Sequence, residues 1–127
     1  MISRRIAVLS AVAAAVGCRR QRGDGFNGYA FVANEAGNAI AAVDLTAFAV
    51  AKHIRLPDSP TAVLSSASRR AVYALTPASG SLHEIGVDDL AVKRTLRMGS
   101  PLSCMRPEPG GNAFWVLRGS SRLRVFR

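Results

Sequence analysis

From residue 29 onward the apolar positions come in short runs, each cut off by Gly, Asn, Asp, Ser or Pro. Tyr29-Ala30-Phe31-Val32-Ala33 stops at Asn34 and is followed by Ala36-Gly37-Asn38, a strand and then a turn. Ala39-Ile40-Ala41-Ala42-Val43 stops at Asp44, whose carboxylate is suited to accept backbone N–H groups in the next turn. Residues 50–54 alternate apolar with polar, which predicts a half-exposed outer strand. After Pro57-Asp58-Ser59-Pro60, residues 61–64 are short and apolar, which predicts a strand buried on both faces. The same order returns as strands at 72–75, 82–85, 92–96 and 102–105, and again at 114–117 and from 123 onward. Only the first eighteen residues hold a long apolar run, so the remainder is expected to be all-β.

The chain repeats itself at a fixed interval. Phe31-Val32-Ala33-Asn34 returns as Tyr73-Ala74-Leu75-Thr76 and as Trp115-Val116-Leu117-Arg118, 42 residues apart both times. That divides residues 29–127 into units 29–70, 71–112 and 113–127. Four short strands in about 42 residues is the size of one propeller blade. Such a blade buries its faces only against neighbouring blades, so units stack around an axis.

The repeated segments resemble the YVTN family of bacterial β-propellers. Phe31-Val32-Ala33-Asn34, Ala42-Val43-Asp44 and Pro60-Thr61-Ala62-Val63 match that family's blade pattern. Thr76 and Arg118 stand where the pattern has Asn, and Gly86 where it has Asp, so the later turns are expected to be looser. Phe31, Asn34, Asp44, Pro60, Tyr73, Pro101 and Trp115 are the positions the resemblance marks as structural. The fold expected is an incomplete β-propeller, an open arc of four-stranded antiparallel blades, preceded by an N-terminal signal helix. The first blade is expected to lack its innermost strand and the last its outermost. Propellers close with four to eight blades, and this sequence holds about two and a half. The exposed blade faces and strand edges are then to be completed by further blades, by self-association or by a partner.

Residues 1–18 read as a leader. Arg4-Arg5 precedes an apolar run over 6–16 that is too short to span a bilayer but suits a secretory signal peptide. Ala15-Val16-Gly17-Cys18 resembles the lipobox of bacterial lipoproteins, with Ala15 where Leu is usual; the resemblance implies lipidation of Cys18. Acyl chains on Cys18 would anchor the protein to a membrane, and Arg19, Arg20 and Arg22 would lie beside anionic headgroups. Ser3-Arg4-Arg5 also resembles a twin-arginine export signal, and the choice of export route stays open. Residues 19–28 read as a polar linker, in which Arg22-Gly23-Asp24 is an ordinary chance tripeptide.

Charge changes this picture little. The formal balance is +9, and discounting Arg4 and Arg5 leaves 15 basic against 8 acidic residues. The basic residues fall in ones and twos among strand positions, with no dense run or zinc-ligand set, so no nucleic-acid partner is expected.

Catalytic chemistry is equally faint. His53 and His83 do not share a register and lack a third ligand, so both read as surface histidines and no metal is expected. Asp88-Asp89 falls in a turn, Glu35 has no pKa-raising partner, and Cys104 in an apolar strand reads as packing. No Gly-x-Ser-x-Gly elbow, phosphate-binding loop or haem-attachment motif is present. The function expected is therefore an exported, lipid-anchored binding or scaffold module of the bacterial envelope, not an enzyme and without a cofactor. The alternative is a fragment of a periplasmic quinoprotein- or haem-dependent redox enzyme, since propellers resembling this family carry such subunits.

Overall fold

The computed structural model describes residues 26–66, 68–110 and 113–126. The leader, Cys18 and the linker up to residue 25 lie outside the described residues. The strands are β1 (Tyr29–Asn34), β2 (Ala39–Asp44), β3 (Ala49–Arg55), β4 (Ala62–Ser66), β5 (Ala71–Thr76), β6 (Ser81–Gly86), β7 (Val92–Arg97), β8 (Leu102–Pro107), β9 (Ala113–Arg118) and β10 (Ser121–Phe126). None of the described residues is helical.

Every pairing is antiparallel, and the strands form three sheets in the orders β1-β2-β3, β4-β5-β6-β7 and β8-β9-β10. Hydrogen bonding thus groups β4 with the strands after it. The segment between β3 and β4, held at Pro60 and by Thr61 N donating to Leu75 O at 3.0 Å, carries the chain from one sheet to the next. Among the described residues the first sheet has no counterpart of β4 and β8, and the third has none of β3 and β7. The residues read as buried on both faces in β4 are only half-buried. Val63 packs toward the first sheet's core and Leu64 toward the third's, but β4 is an edge strand and part of its surface stays open.

The 42-residue interval is kept in the backbone. Leu45 N donates to Gly28 O at 3.0 Å, and 42 residues on Val87 N donates to Arg70 O at 3.0 Å. Leu56 N to Asn38 O (2.9 Å) has its counterpart in Met98 N to Gly80 O (2.8 Å). Asn38 and Gly80 both have positive φ, as residues at that turn position must. β-Bulges follow Ala42 in β2 and Glu84 in β6, the same place in each unit.

Between the sheets lie two cores. Ile40, Ala42 and Ile54 of the first sheet meet Val72, Ala74 and Ile85 of the second, with Phe31 and Ala33 packed alongside. Tyr73, Leu75 and Leu82 of the second meet Phe114, Val116 and Val125 of the third. Strand alternation explains both: odd positions of β5 face one neighbour and even positions the other. Fully burying each large apolar side chain contributes about 1.5–3 kcal/mol, so each sheet depends on the next.

Candidate interaction surface

The marked repeat positions support the framework. Asn34 Oδ1 accepts from Gly37 N at 3.0 Å, and in the second unit Thr76 Oγ1 and Ser79 Oγ pair at 2.9 Å instead. Asp44 Oδ1 accepts from Thr46 N at 2.8 Å and Ala47 N at 3.2 Å. Gly86 has no side chain to do this, and its turn closes through Leu90 N to Gly86 O and Gly86 N to Ala91 O. Pro60 is fully buried, while Pro101 is exposed and its carbonyl accepts from Gly119 N. Phe31 is half-buried, its ring 6.3 Å from that of Tyr29, and Tyr73 is fully buried, its ring 4.8 Å from that of Phe114.

One histidine departs from expectation. His53 is exposed, but His83 is 1% exposed, because its side chain faces the first sheet along with Val72, Ala74 and Ile85. Its Nε2 lies 3.0 Å from Thr76 Oγ1 and its Nδ1 2.9 Å from Thr95 Oγ1. Thr76 Oγ1 donates to Ser81 O, so the network assigns the ring proton to Nε2, with Nδ1 accepting from Thr95. Burial pushes the His83 pKa below its ordinary value, against the opposing charge of Asp58. Nothing in the sequence marked it except Thr76 and Thr95 on flanking strands.

Asp88 and Asp89 do more than shape a turn. Asp88 pairs with Arg70 at 2.6 Å and Asp89 with Lys93, lining a shallow cleft of about 280 Å³ with Arg69 and Glu84. The hydrogen bond from Arg70 holds the Asp88 carboxyl below its usual range. Glu84 is in turn paired with Arg94 at 2.9 Å. The cleft's acids are thus matched by its bases. Nearby, the Tyr73 hydroxyl is buried without a hydrogen-bond partner among the described residues. Burial raises its pKa, and the Glu84 carboxylate adds to the shift. Among the described residues no three metal-capable side chains converge.

Among the described residues, two sheet faces have no other sheet against them. On the first sheet, Ala30, Val32, Ala41 and Val43 alternate with the residues that face the second sheet; Val32 and, opposite Val43, Val50 are 52% and 50% exposed. On the third sheet, Trp115 and Leu117 alternate with buried Phe114 and Val116, and with Arg106 and Arg122 they line a hollow of about 270 Å³. The Arg124 guanidinium lies 5.9 Å from the Trp115 ring centre and pairs with Glu108 at 2.6 Å. Cys104 is half-buried on β8.

No protein-family model and no curated protein matches the sequence. Solved structures do. The chain is similar to the hydrazine synthase of Kuenenia stuttgartiensis (TM-score 0.70, 16% identity, 78% of this chain and 29% of that one). It is also similar to apo AztD from Citrobacter koseri (TM-score 0.62, 22% identity, 80% of this chain and 30% of that one). A third is the β-propeller domain of Cps50 (Swd1) from Myceliophteria thermophila (TM-score 0.50, 15% identity, 79% of this chain and 37% of that one). At these identities the likeness is one of fold. The chain spans less than two-fifths of each of these structures, and its three antiparallel sheets form an incomplete β-propeller.

Proposed function

We propose that this propeller arc is a binding or scaffold module, exported and held at a bacterial membrane through lipidated Cys18. The observation that carries the reading is the pair of uncovered sheet faces, both built from strand positions that elsewhere in the chain are packed against another sheet. Sheet surface that exposes apolar side chains with no neighbouring sheet against it marks an interaction site. The anchor is supported by the order of the leader alone: basic start, apolar run, small residues, cysteine, then Arg19-Arg20-Gln21-Arg22. The YVTN resemblance is supported by the 42-residue interval and the turns that recur with it.

Two measurements test this. Expressed in a bacterial host, the protein is expected in the membrane fraction and Cys18→Ala in the soluble fraction; membrane retention of the variant overturns the anchor. The protein purified from that host is expected to absorb only in the protein band. A bound chromophore absorbing above 300 nm would replace the module by the redox-enzyme reading.

A further inference from the structure

The repeat supplies an internal standard for what a blade face looks like when another sheet covers it. On the first sheet the face toward its neighbour pairs Phe31 with Ala42 and Ala33 with Ile40. On the second sheet the matching rows are Leu64-Tyr73-Glu84 and Leu75-Leu82, and Tyr73, Leu75 and Leu82 are each 0% exposed. On the third sheet the same rows read Arg106-Trp115-Arg124 and Leu117-Arg122. Arginine therefore stands at the positions of Leu64, Glu84 and Leu82, while the aromatic and its apolar neighbour are kept.

An apolar sheet laid on this face would bury two guanidinium groups that have no carboxylate partner among the described residues. Among the described residues Arg106 and Arg122 are in no ion pair, unlike Arg124 with Glu108. Burying two unpaired charges is costly and offsets what covering Trp115 and Leu117 would return. The exposed face of the first sheet does not resolve this. Ala30, Val32, Ala41, Val43 and Val50 carry no carboxylate, so a second copy stacked head to tail would leave both arginines unmatched.

We propose that the third sheet's open face docks an acidic polypeptide surface, with carboxylates set against Arg106 and Arg122 and an apolar side chain over Trp115 and Leu117. The planar guanidinium fork suits a carboxylate in two-point contact. The rows that carry these groups occupy the sheet-facing positions of the other two units, which favours a polypeptide strand or sheet as occupant. This deepens the binding-module reading and rests on it.

Trp115 is the chain's single tryptophan, so its fluorescence reports on this face alone. The full chain is titrated with a short oligoglutamate peptide and with oligoglutamine of equal length. Oligoglutamate is expected to shift Trp115 emission and to bind at least about tenfold more tightly than oligoglutamine. Arg106→Glu/Arg122→Glu, two exposed positions, is expected to weaken it by about tenfold or more. The charge-matched control Lys52→Glu/Arg55→Glu, on exposed positions of β3, is expected to stay within about twofold. Equal affinity for the two peptides overturns the proposal, as does equal weakening by the two variants, or binding without any change in Trp115 emission. Tighter, Arg106- and Arg122-dependent binding to phosphatidylglycerol vesicles would make the face a membrane contact instead. Self-association abolished by the Arg106/Arg122 variant would make it a contact between copies. A chromophore in the purified protein sinks the module reading without affecting this titration, so the two ideas fail separately.

Discussion

His83 is the residue whose chemistry depends most on its surroundings. Both ring nitrogens are matched by threonine hydroxyls, and burial favours the neutral ring. A histidine with a depressed folded-state pKa binds its proton more readily in the unfolded chain. Its stabilising contribution is complete above about pH 6.5 and is lost as pH falls below that toward the folded-state value. Each unit of depression is worth about 1.4 kcal/mol. Urea denaturation is therefore expected to show stability falling between about pH 7 and pH 5. His83→Gln should lose about 1–2 kcal/mol at neutral pH, through one lost hydrogen bond, and flatten the acid slope. An unchanged slope in that variant would place the acid sensitivity elsewhere.

At the scale of the element, the turns hold the register. Gly80, between β5 and β6, has φ of 64°, and a Cβ there would come within 2.5 Å of the Gly99 carbonyl carbon. Gly119, between β9 and β10, has φ of 57° with nothing within 4 Å of a Cβ. Gly80→Ala thus meets both left-handed strain and a backbone clash, while Gly119→Ala meets strain alone. The expected cost is about 1–2 kcal/mol for Gly119→Ala and clearly more for Gly80→Ala, read from urea midpoints. Equal costs would mean that the Gly99 segment yields freely. The turn after β2 shows what sequence leaves out. Phe48 and Leu90 share a left-handed conformation 42 residues apart, at φ of 51° and 53°. Neither residue type signals a positive φ.

For the molecule as a whole, stability resides between sheets. Phe114 is fully buried against Tyr73 and joins the second and third sheets, whereas its neighbour Trp115 lies half-exposed on the open face. Phe114→Ala is expected to cost about 3–5 kcal/mol, and Trp115→Ala much less. Hydrogen exchange should show β8 to β10 opening first in Phe114→Ala. Uniform loss of protection across all three sheets would make the arc a single cooperative unit instead.

The spacing of Phe31, Tyr73 and Trp115, with the polar punctuation between the runs, was enough to place the strands, their number and their all-β class. Strand alternation and turn chemistry act over a few residues, so they are written locally. Which face of each strand is covered was not written there. Ala41, His83 and Leu123 hold the same place in successive units, yet the first lies beside an open face and the second is sealed under a neighbouring sheet. Ile40, Leu82 and Arg122 likewise acquire their meaning only once the sheets are stacked. Burial comes from residues some forty positions away, and only the packed arrangement of sheets decides it.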